Sequence, residues 1–267
     1  MRDLRNIYND LPELQEAGDA YNEKYREARE NYDEYDKLKK GSSPNKWKQF
    51  KAKFTYYTNN RCAICEGIVS KYDDVEHYRP KCHYWWLAYD FYNYYICCSL
   101  CNRTYKKTQF PLFGENQNVT FENRHQINEE EPLLYNPLQD DPLELFRLEL
   151  YERILPPNGR KPKLKVRPNS EDIESYEYQK AKTTIDIYNL NNEDENGNSL
   201  TDLDASRESL MLGHAMDLCN FIRVRNYYYK NSNDKKAQED YLTIKEDMHD
   251  KNLDLLKFVE QRQYEII

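Results

Sequence analysis

The chain has 267 residues, 39% hydrophobic and 32% charged, a length that fits one large domain or two small ones. Its net charge of −8 disfavours nucleic-acid binding over the whole surface, and no apolar run is long enough to span a membrane. Seven cysteines without a secretory signal predict a cytoplasmic protein whose thiols stay reduced and which has no membrane partner.

The N-terminal region, residues 1–60, is predicted to be a helical arm. Apolar side chains recur at three- and four-residue steps between Leu14 and Leu38, which predicts one helix that ends near Gly41. The stripe they form is expected to pack on the rest of the protein or on a partner helix. A second helix is predicted to begin at Pro44 and to lead to the first cysteines.

Two Cys-x-x-Cys pairs follow, Cys62 with Cys65 and Cys98 with Cys101, and 32 residues separate the inner cysteines. Thiolates are soft ligands, and four of them in two such pairs are typical of a structural zinc site with no open position. Cys97 is adjacent to Cys98, so either could be the third ligand. The two-residue spacing to Cys101 favours Cys98.

Between the cysteine pairs the pattern predicts two strands, Val75–Tyr78 and Tyr94–Cys97, and then a helical segment that begins near Ser99. Adjacent strand residues point to opposite faces, so Glu76 and His77 are expected to diverge unless the strand bends. A lone histidine is more commonly a core residue than a catalytic one. The acidic neighbour and the zinc-bound frame favour catalysis here.

In this order the residues resemble the HNH endonucleases, which implies a ββα-metal core over residues 61–112. The resemblance consists of the cysteine pairs, Glu76–His77, Asn93 ahead of the second strand, and Asn102 directly after the last cysteine. It implies His77 as the general base, with a pKa suited to neutral pH, and Asn93 as the residue that orients it. Glu76 and Asn102 match the two ligand positions for catalytic Mg²⁺ or a similar cation. Many family members have Asp in place of Glu76 and His in place of Asn102.

Cations near these motifs are predicted to bind phosphate. They are Arg79, Lys81, Arg103, Lys106 and Lys107. Only one acid, Asp90, lies among them, so this segment is locally cationic despite the net charge. The site would contact phosphate more than base, so these residues do not distinguish DNA from RNA. DNA is the favoured substrate and RNA remains open.

A closer resemblance extends along the chain. Val75–Lys81, Trp85–Asp90, Cys101–Asn102 and Phe110–Leu112 are similar to the HNH subunit of Septu-type anti-phage systems and their retron-linked relatives. The similarity implies a nuclease effector in complex with an ABC-type ATPase subunit. In the retron form it implies, in addition, a reverse transcriptase and its non-coding DNA.

The C-terminal region, residues 113–267, is predicted to be a β-hairpin followed by helices. The hairpin pairs Leu145–Ile154 with Lys163–Arg167 around a turn at 156–159, and a polar loop covers Asn191–Ser199. The helices are predicted over Ile173–Ile187, Leu203–Tyr229 and Lys235–Gln261. The fold class is therefore α+β, with a zinc-stabilised ββα core between an N-terminal helical arm and a mainly helical C-terminal region.

Two rival functions remain open. A non-catalytic zinc-stabilised binding module would not need Glu76, His77, Asn93 and Asn102 together. A stand-alone restriction-type HNH nuclease would normally carry a sequence-reading domain, and the chain has no helix-turn-helix signature or finger array.

Overall fold

α-Helices of 4 to 26 residues and two small β-sheets make up the described part of the chain. The computed structural model describes residues 1–114, 118–151, 162–192, 205–250, 254–261 and 264–266. Within them the α-helices are α1 (Ile7–Asp10), α2 (Pro12–Lys24), α3 (Arg26–Glu30), α4 (Tyr32–Lys40), α5 (Lys51–Tyr57), α6 (Pro142–Leu145), α7 (Tyr176–Ile187), α8 (Ala205–Lys230), α9 (Lys235–Asp250) and α10 (Leu255–Glu260). The strands are β1 (Asp74–His77), β2 (Tyr94–Cys97), β3 (Phe146–Tyr151), β4 (Lys163–Pro168) and β5 (Tyr264–Ile266). None of these helices is both long and apolar enough to cross a membrane.

The helix predicted between Leu14 and Leu38 is divided into α2, α3 and α4. The backbone leaves helical geometry at Tyr25, where ψ is 20°, and again at Asn31, where φ is −131° and ψ is 119°. The Asn31 side chain accepts a hydrogen bond from the Asp33 N–H at 2.9 Å and so caps the start of α4. The prediction of one continuous helix is therefore wrong.

The apolar stripe of this arm faces the interior. Its almost fully buried side chains are spaced seven residues apart: Leu14, Tyr21, Ala28 and Tyr35. The Tyr21 ring contacts Phe50 with centroids 5.0 Å apart, and its hydroxyl lies 3.2 Å from that of Tyr94 on β2. Gly18 permits a close approach of α2, because a Cβ there would lie 2.0 Å from Cδ1 of Phe91. The stripe is part of the core of this chain, so it is not a free surface for a partner helix.

A two-stranded antiparallel sheet follows the first cysteine pair. β1 pairs with β2 so that Glu76 lies opposite Tyr95 and His77 lies opposite Tyr94. β2 coincides with the predicted strand, and β1 begins and ends one residue earlier than predicted. The predicted helical segment after β2 is a π-helix over Leu100–Lys106. π-helical turns are rare and recur at functional sites.

The chain divides into two units. The first contains Met1–Pro142 and Asp172–Tyr188, and the second contains Leu143–Glu171 and Asn189–Ile267. In the second unit β3 pairs antiparallel with β4 and parallel with β5. The strands of the predicted hairpin are confirmed, and the predicted turn at 156–159 lies outside the described residues.

The C-terminal helices follow the predicted pattern with one break. α7 and α8 begin within three residues of their predicted starts. The helix predicted over Lys235–Gln261 is instead two helices, α9 and α10, and residues 251–253 between them lie outside the described part. α8 packs on α9, where the rings of Tyr228 and Tyr241 stack with centroids 4.9 Å apart. Most of the predicted loop at 191–199 is also outside the described residues.

Candidate metal centre and active site

Four cysteine sulfurs form a buried cluster. All lie within 4.8 Å of one another, and they belong to Cys62, Cys65, Cys98 and Cys101. In the first pair, the Ile64 N–H donates to Sγ of Cys62 and the Gly67 N–H donates to Sγ of Cys65, both at 3.4 Å. Backbone N–H groups aimed at sulfur stabilise thiolates. Four buried thiolates would repel one another without a cation, so this cluster can hold a metal ion such as zinc.

Cys97 lies beside this cluster but is not one of the four mutually close sulfurs. Its Sγ is 3.9 Å from that of Cys62, and burial raises the pKa of its thiol well above the usual range. Cys98 Sγ is 3.7 Å from Cys65 Sγ and completes the group. The choice of Cys98 over Cys97 on spacing therefore agrees with the geometry. Of the remaining cysteines, Cys82 is exposed and is not part of this group.

Local hydrogen bonds bring the two cysteine pairs together. The Ala63 N–H donates to the Ile96 carbonyl at 3.1 Å, which attaches the first pair to β2. The Asp73 carboxylate accepts hydrogen bonds from the N–H groups of Ser70 and Ser99, immediately beside the second pair. Burial raises the pKa of Asp73, but the backbone and side-chain hydrogen bonds from Ser70 and Ser99 together outweigh it and leave the pKa lowered. An ionised Asp73 thus connects the loop before β1 to the segment after β2.

His77 is held at the end of β1 with only 6% of its surface exposed. Its Nε2 lies 3.0 Å from the Ala88 carbonyl oxygen. Because a carbonyl can only accept, Nε2 carries the proton and the neutral ring keeps its lone pair on Nδ1. The edge-on rings of Trp47 and Tyr94, with centroids 4.6 and 5.0 Å away, fix the plane of the imidazole. The tautomer and the orientation of His77 are both set by its surroundings.

The pKa of His77 is lowered to about 3, first by burial and then by the charges of Lys81 and Lys106. The ring is therefore neutral at pH 7. The sequence predicted a pKa suited to neutral pH, and in the free protein it lies well below that. The reason is that the sequence gives no sign of how deeply this ring is buried.

Asn93 connects the two strand ends that flank the loop at 78–93. Its Oδ1 accepts from the Arg79 N–H at 2.8 Å. Its Nδ2 donates to the carbonyl oxygens of Arg79 at 3.0 Å and Leu87 at 3.2 Å. The Leu87 carbonyl directly precedes Ala88, which holds the His77 ring. These bonds are what a residue that orients His77 would need.

Glu76 is buried beside a lysine that the sequence had suggested for the surface. Glu76 is 6% exposed, and its Oε1 lies 2.7 Å from Nζ of Lys106. Lys106 has no exposed side-chain surface, and its Nζ also donates to the His77 carbonyl oxygen at 2.9 Å. Lys106 therefore joins the π-helix to both predicted catalytic positions of β1. Among the described residues, no hydrogen-bond partner reaches Oε2 of Glu76.

Asn102 lies four residues before Lys106 on the π-helix and is half-buried. Its carbonyl oxygen accepts from the Lys107 N–H at 2.8 Å, the five-residue bond that defines this helix type. Its side-chain amide has no hydrogen-bond partner within the part of the chain that the structure describes. The amide oxygen is thus free to accept a ligand.

The other predicted phosphate-binding cations occupy different settings. The Arg79 side chain is 16% exposed and its Nε donates to Glu130 Oε2 at 2.9 Å. Arg103 is exposed and pairs with Asp74. Lys81 is exposed, with its Nζ 4.6 Å from the ring centroid of Trp47, and Lys107 is also exposed. The side chains of Lys81, Arg103 and Lys107 are exposed, whereas Arg79 and Lys106 lie in the interior.

Sequence reasoning missed two contributors to this site. Trp47 contacts both His77 and Lys81: its ring is nearly perpendicular to the imidazole, and the ammonium of Lys81 lies over its face. The Ala88 carbonyl accepts from both His77 Nε2 and the Tyr94 hydroxyl, the latter at 2.7 Å. The only feature of the sequence that pointed to Trp47 was the run of basic and aromatic residues around it. No side-chain pattern could indicate the second, because the acceptor is backbone.

Comparison with known proteins gives one partial similarity. The chain is 38% identical over 101 residues to the Septu protein PtuB of Bacillus mycoides (strain KBAB4), a match that covers 32% of this chain and 34% of that protein. The chain thus matches about a third of the length of this curated relative. No protein-family profile matches the chain, and no solved structure matches it. The similarity supports a Septu-related protein over that part of the chain.

Proposed function

We propose that this chain is a metal-dependent HNH endonuclease, the effector of a Septu-related anti-phage defence complex, which hydrolyses phosphodiester bonds of nucleic acid, with DNA as the favoured substrate and RNA as the alternative. The observation that carries the proposal is the His77 imidazole, neutral and buried, with Nε2 bonded to Ala88 and the Nδ1 lone pair unprotonated. The partial similarity to a Septu protein supports the defence assignment.

The order of elements supports an HNH core. An antiparallel pair, β1 and β2, is followed directly by the helical segment Leu100–Lys106, and the four-cysteine cluster lies where the strands end. This is the strand–strand–helix sequence of the ββα-metal arrangement. The proposed role of zinc is structural, because four thiolates leave no position for a substrate.

His77 would act as the general base. Nδ1 takes the proton of the attacking water, while Nε2 keeps its bond to Ala88 and so holds the ring in place. In the free protein the pKa of His77, about 3, makes it a weak base. A bound phosphodiester adds negative charge next to the ring, which raises the pKa towards the range in which a general base is effective.

Glu76 and Asn102 are the proposed ligands of a catalytic Mg²⁺ or similar cation. Both offer oxygen, the donor such cations prefer, and Glu76 Oε2 and the Asn102 amide have no other partner among the described residues. When bound, the cation would neutralise charge on the phosphoryl group and the leaving oxygen. Lys81, Arg103 and Lys107, which are exposed, are the proposed contacts to neighbouring phosphates.

An ABC-type ATPase is the proposed partner, with a reverse transcriptase and its non-coding DNA where the system is retron-linked. Because the N-terminal stripe is buried, we place the docking surface on α8 and α9. A groove of about 640 Å³ lies there, lined by residues that include Tyr227 and Ile244. Tyr227, Tyr229 and Leu242 on these two helices are each at least half exposed. Apolar side chains that are exposed close together are typical of interaction surfaces.

The test is cleavage by the complex purified from its native operon. His77→Gln is preferred to alanine, because glutamine retains bulk and an N–H donor for Ala88 in this buried site. We expect it to lower the rate of DNA nicking about 10²–10⁴-fold while zinc content and complex formation stay unchanged. His125→Gln, in an exposed position outside the site and outside α8 and α9, is the matched control.

Single-stranded DNA, duplex DNA and RNA are offered in parallel, each with and without added Mg²⁺. Nicking by the His77 variant at the wild-type rate, or nicking that is independent of divalent cation, would overturn the nuclease mechanism. Binding of nucleic acid without any cleavage by the complete wild-type complex would favour the non-catalytic zinc-stabilised module instead.

A further inference from the structure

The Lys106–Glu76 pair has a consequence for how a divalent cation enters this site. The ammonium of Lys106 is fully buried and lies 2.7 Å from the carboxylate that the proposed function assigns to the cation. Its position is fixed a second time by the bond to the His77 carbonyl. A lysine rarely has no exposed surface unless a charge partner compensates it, and here Glu76 is that partner.

The charges around Glu76 leave no net attraction for a cation. Lys106 cancels the carboxylate, and the second proposed ligand, Asn102, is neutral. The ammonium of Lys81 is near enough to be attracted by Glu76 and adds a further positive charge. Asp74 on β1 forms an ion pair with Arg103 on the π-helix, so its negative charge is also compensated. Mg²⁺ gives up its hydration water reluctantly and needs anionic ligands in compensation.

We propose that Lys106 is an internal counter-ion that keeps the divalent-cation affinity of the free protein low, so that the cation binds together with a phosphodiester. The proposal rests on the proposed function, in which Glu76 is a cation ligand. The phosphodiester supplies the negative charge that Lys106 has cancelled. Linkage then requires each of the two ligands to strengthen binding of the other by the same factor. Lys106 is a positioning residue in this scheme, because it acts through Glu76 and not on the substrate.

The test measures Mn²⁺ binding to the zinc-loaded complex by electron paramagnetic resonance of the free ion. All proteins carry His77→Gln so that added DNA is not cut. Lys106→Gln removes the charge but keeps an N–H donor for Glu76 and the His77 carbonyl. Lys37→Gln is the matched control, because Lys37 also pairs with a glutamate, Glu34, but at the surface with 69% of its side chain exposed.

Without DNA we expect Lys106→Gln to bind Mn²⁺ at least about tenfold more tightly than the parent protein, the usual scale for one charge within a few ångströms. Lys37→Gln should match the parent. Adding Glu76→Gln to Lys106→Gln should remove the gain. In the parent protein DNA should tighten Mn²⁺ binding at least about tenfold, a measurement that does not require the Lys106 variant to fold.

Two failures are distinguishable. If DNA does not change Mn²⁺ affinity in the parent, or Lys106→Gln binds no more tightly than the parent, the counter-ion role is wrong, and the nuclease proposal survives if Mn²⁺ binding still depends on Glu76. If Glu76→Gln leaves Mn²⁺ binding unchanged under every condition, the proposed cation ligands are wrong and both proposals fall.

Discussion

We expect Arg79 to stabilise the fold and not to bind substrate. Replacing it with alanine should therefore mainly lower the stability of the protein. Its Nε donates to Glu130 Oε2 at 2.9 Å and its terminal nitrogen donates to the Ile127 carbonyl at 3.3 Å. Glu130 is 2% exposed in its side chain and also accepts from the Tyr84 hydroxyl at 2.8 Å and the Val119 N–H at 2.7 Å. Removing Arg79 would leave this buried carboxylate without a counter-charge.

Breaking a buried ion pair from one side costs about 3–5 kcal/mol. Because 16% of the Arg79 side chain is exposed, we expect the lower end, about 3 kcal/mol in the free energy of unfolding. That is a large part of the 5–15 kcal/mol typical of a folded domain. Arg79→Ala should therefore shift the urea midpoint strongly and leave the salt dependence of DNA binding unchanged.

The measurement is urea denaturation at pH 7, with DNA affinity measured at several salt concentrations. Arg103→Ala is the control, because Arg103 pairs with Asp74 at the surface and its removal should leave the urea midpoint almost unchanged. Adding Glu130→Gln to Arg79→Ala should restore more than about 1 kcal/mol, since the uncompensated charge is gone. An Arg79→Ala protein as stable as wild type with a shallower salt slope would refute this reasoning.

Three further outcomes are expected. The double variant Cys62→Ser/Cys101→Ser should contain no zinc, as measured by elemental analysis, and should be unfolded. Full metal content in this variant would contradict the four-cysteine site. His77 has a folded pKa of about 3, below the ordinary 6.5, so the unfolded state takes up a proton first and stability falls as pH drops from 6.5 towards 3. The free energy of unfolding falls by about 1.4 kcal/mol per pH unit, or by about 2 kcal/mol between pH 6.5 and 5. In His77→Gln the fall should be much smaller. Equal falls for the two proteins in urea titrations would exclude His77 as the cause. Lys107→Gln should reduce the salt slope of DNA binding by about 0.7–0.9, and an unchanged slope would remove Lys107 from the phosphate contacts.

The local features of the core were predictable because their signals are local. The strand β2 was predicted at its observed bounds, and the four cysteines meet as their spacing indicated. The helical arm was predicted correctly in its buried face and wrongly in its continuity. The seven-residue spacing of buried side chains in the sequence is the same for one continuous helix as for three consecutive helices that bury the same face. The neglected signal was Asn31, a residue type that favours helix N-caps over helix interiors.

The environments of the charged residues could not be predicted. Lys106 and Lys107 are adjacent and chemically identical, yet the first is buried and the second is exposed. The difference comes from partners far away in the sequence, since Glu76 precedes Lys106 by 30 residues and Glu130 follows Arg79 by 51. Local composition made this segment look uniformly cationic. Only the fold reveals which of its charges are already neutralised.

The metal centre and the proposed active site are two ends of one hairpin, so their effects on activity are coupled. Asp74 lies opposite Cys97, next to Cys98 of the four-cysteine cluster, and His77 lies opposite Tyr94 at the other end. A slip of one residue between β1 and β2 would exchange the faces of Glu76 and His77. The cysteine cluster opposes that slip, because it links the chain before β1 to the chain after β2. Loss of cleavage on cysteine substitution therefore carries no information about catalysis by His77 unless zinc content is measured with it. Loss of cleavage in His77→Gln with full zinc content does carry that information.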